Sequence, residues 1–221
     1  MAGPSCGGCR PPWHQPQPAF AAKLERALAE RGYATANLGY PSRVLDLNEI
    51  VAALLPQVAV VAEQTVGPLH FVTHSMGGLV ARVLLSGYRP PQLGRVVMLA
   101  PPNGGSEVAD RLVSWAPYRR WFGPAGGQLV TRRDTALTAL FGAIDYELGV
   151  IAGSRSFYPL ASALMPRPND GRVSVASTTV EGMADHLVLP VAHPTIVRSQ
   201  AAIDQTLAFL TDGRFRRPHL G

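Results

Sequence analysis

Residues 68–85 read Pro-Leu-His-Phe-Val-Thr-His-Ser-Met-Gly-Gly-Leu-Val-Ala-Arg-Val-Leu-Leu, and the join they make at Ser75 decides the fold. Leu69, Phe71 and Val72 form an apolar run suited to a buried strand. Leu79, Val80, Val83 and Leu84 then recur at helical spacing, which assigns Arg82 and Ser86 to the opposite face. A strand that ends on serine and passes straight into a helix lifts the hydroxyl onto a sharp turn at the edge of a sheet. Gly77 and Gly78 fall where the helix has to pass close to the strand it has just left, an approach that a missing side chain permits. The first helical turn also aims free backbone N–H groups at whatever sits beside Ser75. Such a turn suits a nucleophile whose reaction develops negative charge on a carbonyl oxygen. It has the form G-x-S-x-G, with Thr73 in place of the first glycine. A plainer reading makes Ser75 a helix N-cap, since serine is favoured there. The coincidence of strand, His74, Met76, paired glycines and amphipathic helix favours the nucleophile.

Working outward, 221 residues suit one domain with a sizeable core, and 16% charged residues describe a globular chain lean in surface charge. The formal charge of +5 comes almost entirely from arginine, with Lys23 the only lysine. Those arginines are scattered (119–120, 132–133, 214–217) without interleaved aromatics, so no nucleic-acid surface is expected. The longest apolar stretch, Ile50 to Ala62, is interrupted by Pro56 and Gln57 and is too short for a membrane span. No signal peptide is visible, and a cytoplasmic location is expected. Cys6 and Cys9 form a single C-x-x-C among Pro and Gly, read as part of a flexible leader over residues 1–18 rather than a metal or redox site. No cofactor or metal is expected.

The remaining pattern alternates helices with apolar strands. A helix is predicted over 21–30, a strand over Tyr33–Leu38, and a turn at Gly-Tyr-Pro-Ser 39–42. Asp46 with Glu49 three residues on predicts a capping box opening a helix at 47–64, kinked at Pro56. After the Ser75 join, Arg95–Ala100 reads as a strand closed by Pro-Pro-Asn-Gly-Gly. Residues 106–145 loosen into short helical pieces containing Trp115, Trp121 and Phe122, with a break at 123–127. Leu148–Ala152 is the next strand, 172–177 a short one, and Leu187–Ala192 an edge strand carrying Pro190. Pro194 is expected to open the last helix, with Ile196, Ile203, Leu207 and Leu210 on one face and Gly213 as its stop. The domain is placed at 19–213, followed by a basic tail at 214–221. Alternation of this kind predicts a mostly parallel sheet covered on both faces.

A serine hydroxyl needs a base beside it, itself oriented by an acid. In an open parallel sheet those groups belong in loops at the carboxyl ends of strands. Pro168-Asn169-Asp170-Gly171 is such a loop, and His193 follows the last strand directly. The order Ser75, Asp170, His193 fits. Asp170 is also a favoured turn residue before glycine, with Asp145 and Asp185 as rival acids, and His193 also reads as a capping or surface histidine. His74 is expected beneath the join, His186 at the wrong end of its strand, and His14, His70 and His219 as incidental.

These stretches together resemble the α/β-hydrolase superfamily, and within it the bacterial triacylglycerol-lipase/esterase-like group. The matching segments are GYPSR at 39–43, THSMGGLVAR at 73–82, LAPPNGGSEVAD at 99–110, PNDGRVSVAST at 168–178 and LPVAHPTIVRS at 189–199. The resemblance implies a three-layer α/β-hydrolase fold, with Ser75 as nucleophile, Asp170 as acid, His193 as base and the Met76 N–H as an oxyanion donor. It implies an ester substrate and an acyl-enzyme. It makes 106–145 a cap over an acyl site, although Trp115, Trp121 and Phe122 read equally well as core. A family strand ending in a His-Gly loop has no counterpart in residues 1–20, so an N-terminally incomplete sheet with an unpaired edge is expected, together with half an oxyanion hole and a truncated or altered start. That departure leaves a catalytically impaired relative acting as a binding protein, or an acyltransferase or thioesterase, as the alternatives.

Overall fold

Strands buried on both faces read as unbroken apolar runs, and the two clearest in this chain occupy the centre of the sheet. The computed structural model describes residues 21–132, 134–163 and 165–217, without the side chains of 117–119, 121–122 and 160–161. Helix α1 spans Ala22–Glu30 and α2 spans Leu47–Gln64; strand β1 is Leu69–His74, followed by α3 (Met76–Gly87) and β2 (Leu93–Leu99). Short helices α4 (Glu107–Leu112), α5 (Ala116–Gly127) and α6 (Thr135–Leu140) lead to β3 (Leu148–Gly153). Then come α7 (Pro159–Ala163), α8 (Val175–Thr178), β4 (Asp185–Leu189), a 3₁₀ turn at His193–Arg198 and α9 (Gln200–Asp212). Among the described residues the strands form one parallel sheet in the order β1-β2-β3-β4.

Alternation along the central strands divides the core into two layers. Val96 and Met98 of β2 and Leu148 and Val150 of β3 pack against Leu47, Ile50 and Leu54 of α2 and Leu79, Val83 and Leu84 of α3. Val97, Leu99 and Ile151 face the other way, onto Leu24 and Leu28 of α1, Ile196 of the 3₁₀ turn and Ile203, Leu207 and Phe209 of α9. The result is helices on both sides of a parallel sheet, as the alternation of elements predicts.

Local signals hold at several element ends. The Asp46 side chain accepts the Glu49 N–H at 2.9 Å while Glu49 accepts the Asp46 N–H at 2.8 Å, the reciprocal capping box. Gly213 closes α9 in the left-handed conformation at φ 71°. The break expected at 123–127 falls at Gly123, where φ is 67° and α5 kinks against the Arg43 backbone.

Six expectations are corrected. Residues 33–38 form no regular element and join no ladder, and β1, expected to be buried, is half-buried along its length. Both follow from one fact: no described strand pairs with the outer edge of β1, so neither segment has the neighbour that would cover it. Residues 172–177 do not form a strand: Ser174 makes a single antiparallel bridge to Asn169, then caps α8 by accepting the Ser177 N–H. Arg82 does not face solvent. It is buried, with its guanidinium 4.9 Å from the Phe141 ring centroid and Nη1 donating to Asn103 Oδ1 at 3.4 Å, because the 103 loop and the end of α6 cover that face of α3. Finally, the last helix comes in two pieces, a 3₁₀ turn that begins at His193 with Pro194 second, and α9 from Gln200, and Pro190 lies one residue beyond β4.

Candidate active site at the carboxyl edge of the sheet

Ser75 joins β1 to α3 with φ 54° and ψ −128°. A non-glycine residue held there stores about 1–3 kcal/mol of strain, so its surroundings must over-determine it. They do so through the backbone. The Ser75 N–H donates to the Leu99 carbonyl at 2.8 Å, and the Gly78 N–H donates to the Ser75 carbonyl at 2.9 Å. A Cβ on Gly78 would lie 2.9 Å from Pro101 Cβ and 3.1 Å from Met98 Sδ, whereas one on Gly77 would meet nothing closer than 3.5 Å. The close approach expected of both glycines is therefore made by Gly78 alone, and against β2 and the loop after it rather than the strand α3 has just left. Met76 opens α3, so its N–H is among those that no helical carbonyl can accept.

Asp170 is fixed by its own turn. The Arg172 and Val173 N–H groups donate to Oδ1 at 2.9 and 2.8 Å, which leaves Oδ2 facing His193 Nδ1 at 2.7 Å. His193 Nε2 lies 2.9 Å from Ser75 Oγ. A carboxylate only accepts, so the imidazole proton resides on Nδ1 and Nε2 is left to accept the serine proton. The His193 N–H also donates to the Asp170 carbonyl at 3.1 Å, a second tie between the same two residues. Both are buried, at 0% and 1% exposure. Side chains 118 residues apart in sequence thus meet in one relay, Asp170–His193–Ser75.

The other titratable groups lie outside that relay. Asp145 pairs with Arg89 at the surface and Asp185 with Arg217. His70 Nδ1 accepts the Arg95 N–H at 2.8 Å, and His186 Nε2 bonds the Thr178 hydroxyl at 2.9 Å. His74 lies beneath the join as expected, with Nε2 3.2 Å from the His193 carbonyl and the two rings 4.9 Å apart. A carbonyl accepts, so His74 Nε2 carries a proton. Burial, and next the adjacent His193, push the His74 pKa down to about 3, so the ring stays neutral. His14, His219, Cys6 and Cys9 lie outside the described residues.

The loop after β2, to which the sequence pattern assigns no role, ties the site together. Asn103 Nδ2 donates to the Thr178 carbonyl at 2.9 Å, the Gly104 N–H to the Ser177 carbonyl at 2.7 Å, and Ser106 Oγ to the Arg172 carbonyl at 3.1 Å. Glu107 Oε1 accepts the hydroxyls of Ser174 and Ser177, each at 2.7 Å. The Pro-Pro-Asn-Gly-Gly run after β2 was the available signal, since it marks a loop at the same edge of the sheet as Ser75. Among the described residues, no three His, Cys, Asp or Glu side chains gather as metal ligands would, and no helix is long and apolar enough to cross a membrane.

The sequence profile of the alpha/beta hydrolase family matches residues 5–216. The chain belongs to that family. This α/β hydrolase matches no curated protein by sequence. Among solved structures it is similar to a Bacillus licheniformis lipase in its mature form, at TM-score 0.71 and 17% identity over 90% of this chain and 84% of that one. It is similar to a Legionella pneumophila phospholipase at TM-score 0.59 and 16% identity, over 87% of this chain and 59% of that one. A Pyrococcus furiosus esterase aligns at TM-score 0.53 and 18% identity, over 86% and 74% of the two chains. At such identities the likeness is one of fold.

Proposed function

We propose that this α/β hydrolase is a serine ester hydrolase, carboxylesterase- or lipase-like, working through an acyl-enzyme. The observation that supports the reading is the unbroken relay of 2.7 and 2.9 Å from Asp170 through His193 to the strained Ser75. Ser75 Oγ attacks the ester carbonyl while its proton passes to His193 Nε2, and Asp170 Oδ2 holds the Nδ1–H and faces the positive ring that results. The carbonyl oxygen becomes an oxyanion beside the Met76 N–H. Collapse breaks the C–O bond, the alcohol leaves with the proton from Nε2, and the acyl group stays on Ser75. Water then loses a proton to Nε2 and attacks the acyl carbon, releasing the carboxylic acid and returning the proton to Ser75.

The segment 106–145 is the candidate cap, and Trp115, which is 58% exposed, is its apolar contact for an acyl chain. Hydrolysis of p-nitrophenyl butyrate and labelling by a fluorophosphonate test the reading together. Both are expected for the native chain and lost in Ser75→Ala; background rates in both proteins, or activity retained in Ser75→Ala, would sink it. A second reading has its own observation: the chain contains no His-Gly pair, the family's source of a second oxyanion donor, and removing one such donor costs about 10²–10³ in turnover. An impaired relative that binds esters without cleaving them would bind the substrate yet leave Ser75 unlabelled. Transfer to alcohol or thiol acceptors, read from the products, separates an acyltransferase or thioesterase.

A further inference from the structure

We propose that Glu107 is a positioning residue for Asp170, acting across the site from α4 and resting on the reading of Asp170–His193–Ser75 as the working relay. The direction of the Asp170 carboxylate is set by the 170–173 turn, because Oδ1 is held by the N–H groups of Arg172 and Val173. That turn closes on itself through the Asp170 N–H to the Val173 carbonyl at 3.1 Å and the bridge between Asn169 and Ser174. Whatever fixes Ser174 therefore fixes the heading of Oδ2 toward His193.

Ser174 needs no carboxylate to cap α8, since it does that by accepting the Ser177 N–H at 3.2 Å. Yet its hydroxyl proton goes to Glu107 Oε1, and so does that of Ser177. Both serines are buried and their hydroxyls lie 3.0 Å apart, so without the carboxylate one could donate to the other but the second would need another partner. The other oxygen of Glu107, Oε2, is buried with no hydrogen bond among the described residues. Burying a carboxylate that is only half satisfied is costly, and packing alone would be served better by an apolar side chain. What the carboxylate adds is an acceptor for two hydroxyl donors from one side of the acid's turn. It is rooted in α4, on the loop that leaves β2, so the acid on the β3 side is braced from the next strand along. Backbone bonds from Gly104 and the hydroxyl of Ser106 hold Ser177 and Arg172 on either side of it. Glu107 is the contact that reaches Ser174 between them.

The test reads the acid–base hydrogen bond itself. The proton between His193 Nδ1 and Asp170 gives a low-field NMR resonance, identified by its loss in Asp170→Ala. In Glu107→Ala this resonance should shift and broaden at temperatures where circular dichroism shows a folded protein, with fluorophosphonate labelling of Ser75 slowed roughly 10–100-fold. Glu107→Gln keeps an amide oxygen able to take both hydroxyls and should restore the resonance and most of the labelling. If Glu107→Ala does not fold, Ser174→Ala combined with Ser177→Ala removes the same two bonds and should move the resonance likewise. An unmoved resonance in the folded Glu107→Ala protein overturns the proposal, as does a Glu107→Gln protein that behaves like Glu107→Ala. A native chain that shows the resonance but resists labelling overturns the hydrolase reading instead, and leaves the brace to be judged on the resonance.

Discussion

An asparagine at position 170 fits its turn in one orientation only, and in that orientation it silences the base. With the amide nitrogen toward His193, Nδ1 must accept rather than donate, which moves the imidazole proton to Nε2 and leaves nothing to take the proton of Ser75. The second amide hydrogen is then buried without an acceptor. With the amide reversed, the nitrogen confronts the N–H groups of Arg172 and Val173. Asp170→Asn should therefore lose about 10³–10⁴ in esterase turnover, as removal of the orienting acid does in comparable relays. It should also lose about 1–3 kcal/mol of stability through an unpaired buried donor, measured by urea titration. A variant that kept full stability would show that the turn tolerates a donor there. Ser75 and His193 were legible in the sequence because each closely follows a strand that its apolar pattern marks, and Asp170 because it sits in the tight Pro-Asn-Asp-Gly turn that the chain makes between β3 and β4. Glu107, Ser174 and Ser177 were not, since what joins them is the meeting of two loops that are far apart in the chain.

Elements with a local signature formed as read: α2 by its capping box, the end of α9 by Gly213, and β2 and β3 by their unbroken apolar runs. Segments 33–38 and 172–177 did not become strands, because a strand is completed by a neighbour and no residue within the segment supplies one. In 172–177 the serine at 174 also offered the backbone a capped turn, which prevailed over the alternating pattern. Arg82 was misplaced for a related reason: the residues that bury it come from the 103 loop and from Phe141, which no helical periodicity of α3 encodes. The two glycines of α3 separate propensity from packing. Gly78→Ala should cost about 1–3 kcal/mol by overpacking against Met98 and Pro101. Gly77→Ala, with ordinary contact distances around it, should be neutral or gain up to about 1 kcal/mol from helix propensity. Thermal melts of the two variants check the contrast, and equal losses would remove the argument that β2 demands Gly78.

At the scale of the whole molecule, three histidines among the described residues are held below their ordinary titration range, and burial is the largest cause for each: His70, His74 and His186. Their folded values lie below the unfolded one, so protons bind the unfolded chain first. Stability owed to their neutral form is complete above about pH 6.5 and falls as the pH drops from there, for His74 down to about 3. Melting temperature should decline on acidification from pH 7 to 4. The decline should be shallower in His74→Gln, whose amide can still donate to the His193 carbonyl; an unchanged slope in that variant would contradict the burial of a neutral ring. The double attachment of His193 to Asp170, side chain to side chain and main chain to main chain, has a calorimetric corollary. Neither residue can drift away from the other while β3 and β4 remain paired, so warming offers no folded yet silent species on the way to the melt. Inactivation and the heat-absorption peak should share a midpoint, and activity fading well ahead of that peak would mean that the pair separates before the sheet does.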